Sequence, residues 1–163
     1  MFSDWNILLI FIPIILGFSI SSLFTMNRNN LSKKTEPKPH WQPPGYVFSL
    51  VWSILYLLSG IVLYYITVNK SISSCAYKWL LFLVISQIVL ENAWVIYTSY
   101  IEESDFNQLL IIWFLVAVIL AKIISLSYVG ESRGALLSSF EIMWLAIAIS
   151  LLSYNLNKCG NIL

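Results

Sequence analysis

Charge is scarce in this chain. Its 163 residues hold nine Lys and Arg and eight Asp and Glu, a charged share of 10% against an apolar share of 59%. A soluble domain is about 25% charged and about 45–50% apolar, so these charges are too few to cover a water-facing surface. The net charge of +1 leaves no basic field for a nucleic-acid backbone. A single histidine, His40, and only two cysteines exclude a multi-histidine or cysteine-cluster metal site. Glycine-rich phosphate loops and a credible Ser/His/Asp set are missing as well. What is abundant is apolar surface, with a mean hydropathy of +0.81. Surface on that scale must face lipid.

Five apolar runs, at approximately residues 5–26, 45–68, 77–100, 107–129 and 135–157, reach the roughly 20 residues needed to cross a hydrocarbon core. The expected fold is all-α: a polytopic membrane protein in which residues 1–163 form a single domain, a bundle of five transmembrane helices. The links between runs are short, so function must lie inside the bundle or at its mouths. The first run does not read as a cleaved leader. Asp4 precedes it, no Lys or Arg comes before Arg28, and no small-x-small site follows. Arg28, Lys33, Lys34, Lys38 and Lys158 share one side, against Lys70, Lys78 and Arg133 on the other. That bias puts the first loop and the C-terminus in the cytosol, without saying which membrane is crossed. Cys75 and Cys159 fall on opposite sides and cannot pair.

All but three of the charges lie in loops, at termini or near them; the exceptions are Glu91, Lys122 and Glu141. An ionisable group in hydrocarbon costs roughly 3 kcal/mol or more and by default points to function. Lys122 lies seven residues before Val129, and Glu141 seven after Gly134, on either side of a tight turn. Both therefore sit roughly 10 Å below the same surface, and an intramembrane Lys122–Glu141 pair is expected. It reads as an architectural pair fixing the last two helices, with a proton or substrate relay as the functional alternative. Snorkelling of Lys122 to the interface is a third reading. Glu91 lies nearer the opposite surface, with no basic partner expected at its depth. Gln87 lies four residues earlier, on the same helical face, and together the two read as lining a pocket or an interhelical hydrogen bond.

Aromatics supply 15% of the chain, including seven tryptophans. Trp5, Trp79 and Tyr128 fit an interfacial belt. Trp52, Trp94, Trp113 and Trp144 lie deeper in their runs, where either bundle packing or a cavity for a flat or bulky apolar ligand accounts for them. Gly17/Ser21, Ala117/Ala121 and Ala146/Ser150 are small residues four apart that permit close helix contacts, a homodimer included. Pro13 is expected to bend the first helix.

The most specific stretch is KPHWQPPGYVFSLVWSILY, residues 38–56. Lys38, Pro39, Trp41, Pro43 and Pro44 fit the pattern K-P-x-W-x-P-P, and Trp52, Leu55 and Tyr56 fit W-x-x-L-Y. In this the chain resembles the translocator protein family, also called tryptophan-rich sensory proteins or the peripheral-type benzodiazepine receptor family. Five spans, a long first loop and short later loops extend the resemblance over nearly the whole chain. It departs from the family at Glu91, where an Asn is usual, at Val95 and Ile96 in place of two prolines, at Ser49-Leu50, and at Phe140-Glu141. It is similar to a divergent member.

The resemblance implies a binding or translocating protein, not an enzyme, although a porphyrin-degrading activity is proposed for some relatives. It implies no required cofactor. Its ligand would be a tetrapyrrole such as protoporphyrin or haem, or a sterol. By resemblance the pocket comprises Trp41, Phe48, Trp52, Tyr56, Gln87, Glu91, Trp94, Phe106, Trp113, Trp144 and Ala148. Lys38, Pro39, Pro43 and Pro44 would form a stiff lid over it, and Lys33, Lys34 and Lys38 would attract porphyrin carboxylates. Leu152, Tyr154 and Lys158 correspond to the family's sterol element, a pattern that an ordinary helix end also satisfies. The rival reading is a membrane interaction or regulatory protein whose degraded pocket holds no small molecule. A proton-coupled carrier built on Glu91 and the Lys122–Glu141 pair is a third.

Overall fold

A computed structural model describes residues 4–25, 39–100 and 105–160. The chain begins with a 3-10 segment, Asp4–Ile10, that passes directly into α1, Phe11–Thr25. Pro13 follows the changeover within one turn. It has no N–H to donate, and its ring crowds the carbonyl of Leu9, so the regular hydrogen-bond ladder cannot run through this point. Four longer helices follow: α2, Gly45–Val68; α3, Ser74–Tyr100; α4, Asp105–Tyr128; and α5, Ser132–Gly160. These four are long and apolar enough to cross a membrane, while α1 belongs to a shorter apolar helix. With its 3-10 lead-in, α1 completes the five helices. No strand occurs among the described residues. The fold is the all-α bundle expected.

The helices close into a ring in the order α1, α2, α5, α4, α3, with α3 returning to α1. One contact is set by a missing side chain. A Cβ on Gly60 would lie 2.1 Å from the Ile10 carbonyl oxygen, so only glycine lets α2 approach the N-terminal segment this closely. The α4–α5 turn has an equally local cause. Gly130 adopts φ 78°, Glu131 N–H donates to Leu126 O at 2.8 Å, and Gly130 N–H donates to Ser127 O at 3.1 Å. This is a Schellman cap, and the left-handed residue it requires is the glycine.

The outer surface shows what solvent the bundle expects. Ile15, Phe18, Leu50, Phe82, Val89, Phe114, Ile124 and Met143 all point outward. The exposed hydroxyls of Ser53, Ser127 and Ser150 each donate to the carbonyl four residues back, so they present no free donor to lipid. Inside, two apolar clusters divide the length of the bundle. Val62, Ile66, Leu80, Val84 and Leu126 fill the end that carries the α4–α5 turn. Ile112, Leu115, Ile119, Leu145 and Ala148 pack α4 against α5 nearer the other end. Between them lies a polar layer.

Candidate functional site

Ser59, Gln87, Lys122 and Glu141, one from each of α2, α3, α4 and α5, form a closed ring of hydrogen bonds. Lys122 Nζ donates to Glu141 Oε2 at 2.9 Å and also to Gln87 Oε1. Gln87 Nε2 donates to Ser59 Oγ at 3.0 Å, and Ser59 Oγ donates to Glu141 Oε1 at 2.8 Å. Every member is buried, with 0% exposure for Lys122 and 1% for Glu141. The expected Lys122–Glu141 pair is therefore present, extended to two further helices. Snorkelling is excluded by geometry. A helical side chain leans towards its own N-terminus, which for Lys122 is away from the nearer surface and into the layer.

Glu91 hangs from this ring. Its Oε1 accepts from Gln87 Nε2 at 2.7 Å. As expected, Glu91 makes no ion pair among the described residues; Gln87 alone links it to Lys122, whose long side chain reaches inward to meet the Gln87 oxygen. Gln87 itself is fully committed, with both amide hydrogens and its oxygen engaged. Its capacity is used within the protein. Ser59 was missed in the sequence; as one serine among many it carried no signal until the helices were assembled.

Beyond Glu91 the ring gives way to aromatics. Trp52, Tyr56 and Ser59 follow at helical spacing on α2, and Gln87, Glu91 and Trp94 do so on α3. The antiparallel helices bring Ser59 to Gln87 and Trp52 to Trp94, with Tyr56 between them on α2. Trp52 and Trp94 stack with centroids 5.4 Å apart, and Trp52 also meets Tyr56 at 6.0 Å. Phe48 meets Trp144 edge-on at 5.2 Å, and Ala148 lies buried one turn further along α5. The group is filled by its own rings. Its polar atoms are not satisfied, however: Tyr56 Oη, Glu91 Oε2, Trp94 Nε1 and Trp144 Nε1 are all buried without a hydrogen-bond partner. Buried polar atoms are normally paired, so four orphans in one region mark it out.

The other expected residues are placed differently. Trp41 is 42% exposed and packs edge-on against Tyr154 at 6.3 Å, so the first loop meets the last helix at the mouth of the bundle. Pro39 is buried, its carbonyl accepts from Gln42 N–H at 3.0 Å, and Pro44 is the N-cap of α2 with φ −64° and ψ 154°. The second proline thus sets the angle at which the loop joins α2. Phe106 and Trp113, 56% and 53% exposed, face outward from α4 and are not brought to the aromatic group. Leu152 turns inward into the α4–α5 cluster. Lys33, Lys34 and Lys38, and the side chain of Lys158, lie outside the described residues.

Fold and site together define a polytopic helical membrane protein with a charged hydrogen-bonded layer beneath an aromatic group. The sequence matches the family model described as TspO/MBR family over residues 9–156, nearly its whole length, and the chain belongs to that family. No curated protein matches it at a significant level.

Proposed function

We propose that this protein binds a flat or bulky apolar ligand, a tetrapyrrole such as protoporphyrin or haem, or a sterol, at the aromatic group beneath the first loop. The observation that carries this reading is the set of orphaned atoms, Tyr56 Oη, Glu91 Oε2, Trp94 Nε1 and Trp144 Nε1, beside the Trp52–Trp94 and Phe48–Trp144 pairs. A flat ligand slipped between Trp52 and Trp94 would exchange one ring contact for two, and its polar groups would meet the orphans. The proline-bounded segment Pro39–Pro44 serves as the lid, with Trp41 and Tyr154 at its rim. Ring carboxylates of a porphyrin would turn from Glu91 to Lys33, Lys34 and Lys38 in the loop. The role is binding or translocation without covalent chemistry, and the tetrapyrrole is cargo, not a resident cofactor. The first loop and the C-terminus face the cytosol.

The test is titration of the purified protein in detergent with protoporphyrin, and separately with a fluorescent sterol, followed by tryptophan quenching. Saturable quenching is expected, weakened about 2–10-fold in Trp52→Ala by the loss of one ring contact. A second reading has one observation in its favour: Trp52 and Trp94 already satisfy each other's faces. If neither probe quenches saturably, the aromatic group is packing only, and the protein is a membrane interaction or regulatory partner.

A further inference from the structure

Glu91 stands where the charged layer meets the aromatic group, and its two oxygens have different fates. Oε1 is held by Gln87; Oε2 has no partner although the residue is only 2% exposed. The layer has one ammonium for two carboxyls. Lys122 pairs with Glu141, whose other oxygen is held by Ser59, so Glu91 is left without a countercharge. Gln87 Nε2 is the donor that the layer presents to Glu91, and it reaches the oxygen facing the ring. On the other side lie Trp94, one turn along the same face of α3, Trp52 stacked on it, and Tyr56 against Trp52 on α2.

A carboxyl oxygen short of a cation, buried beside three electron-rich rings, is the chemistry that recognises a protonated amine. The oxygen supplies an acceptor and the opposite charge, and ring faces attract a cation further when water is excluded. We infer that the favoured ligand of this pocket is a flat apolar molecule bearing a basic nitrogen, which donates to Glu91 Oε2 while its ring system stacks on Trp52 and Trp94. This inference rests on the aromatic-pocket reading and sharpens it. A neutral ligand without a donor would leave Oε2 orphaned, and one with a neutral donor would satisfy it without the charge. An anionic one would set like charge against Glu91 and Glu141 in a medium that screens poorly.

Three planar probes sharing one ring system test the idea at pH 7.5: aminoacridine, cationic at that pH; acridine, neutral; and acridine carboxylate, anionic. Affinities are read by tryptophan quenching of the full chain in a non-ionic detergent, for the parent, Glu91→Gln, Glu91→Asp and Trp52→Ala. The amine should bind at least about tenfold tighter than acridine, the carboxylate weakest. Glu91→Gln should erase the preference while leaving acridine affinity within about twofold, and Glu91→Asp should retain part of it. The Asp variant keeps the test usable if Glu91→Gln does not fold. Equal binding of amine and acridine in the parent, or a preference that survives Glu91→Gln, overturns the inference. If acridine binding is then still weakened by Trp52→Ala, the aromatic pocket stands and only the amine selectivity falls. Saturable binding by none of the three overturns the inference, while the aromatic-pocket reading is decided by the protoporphyrin and sterol titrations.

Discussion

Lys122→Met tests whether the polar layer holds the bundle together. Methionine keeps the unbranched lysine stem to within one atom but removes two contacts at once, the ion pair to Glu141 Oε2 and the hydrogen bond to Gln87 Oε1. Breaking a buried pair from one side costs about 3–5 kcal/mol, because the remaining charge stays buried without its partner. An unpartnered Gln87 oxygen adds about 1–3 kcal/mol. Removing both charges, in Lys122→Met/Glu141→Leu, leaves only the smaller cost of Gln87 and Ser59 losing partners, so the double variant should be more stable than either single one. For the double variant to be the more stable, the coupling energy of the cycle must exceed the cost of the costlier single variant, about 4 kcal/mol or more. The assay is reversible unfolding in mixed detergent micelles as the mole fraction of dodecyl sulfate rises, followed by helical circular dichroism. Interhelical hydrogen bonds in membranes are commonly worth only about 0.6 kcal/mol, so the charge, not the hydrogen bonds, must supply the effect. Single variants that each cost less than about 1 kcal/mol, with additive behaviour in the double, would refute the reasoning. A lysine that snorkelled would behave that way.

Two further predictions concern the backbone. Gly60→Ala puts a methyl into the Ile10 carbonyl and should cost about 1–3 kcal/mol by overpacking, with protease cleavage appearing in the N-terminal segment; Gly134→Ala, whose nearest neighbour would be 3.4 Å away, is the control and should be near neutral. Gly130→Ala forces a side chain into the left-handed region at φ 78° and should cost about 1–2 kcal/mol in the same unfolding assay without altering ligand affinity, since the turn is at the far end from the aromatic group.

The apolar runs determined the architecture outright. Without enough charge to face water, and with runs long enough for a bilayer, the chain had to become a helical bundle, and helix is the form that satisfies each backbone donor within its own segment. The Lys122–Glu141 pair was legible too, because a tight turn fixes the relative depth of residues on either side of it. The motif from Lys38 to Tyr56 located the mouth of the bundle. Which face of each helix turns inward was not legible. In water a helix announces its buried stripe by contrast with a polar face; in lipid both faces are apolar, and the contrast disappears. Trp113 and Trp94 therefore looked alike as deep tryptophans, yet one points outward and the other stacks on Trp52. Ser59 and Gln87 likewise acquired meaning only when four helices met, since a hydrogen-bonded ring is a property of their mutual rotation and depth. Assembly decided that Gln87 is consumed by the scaffold and that one oxygen of Glu91 is not.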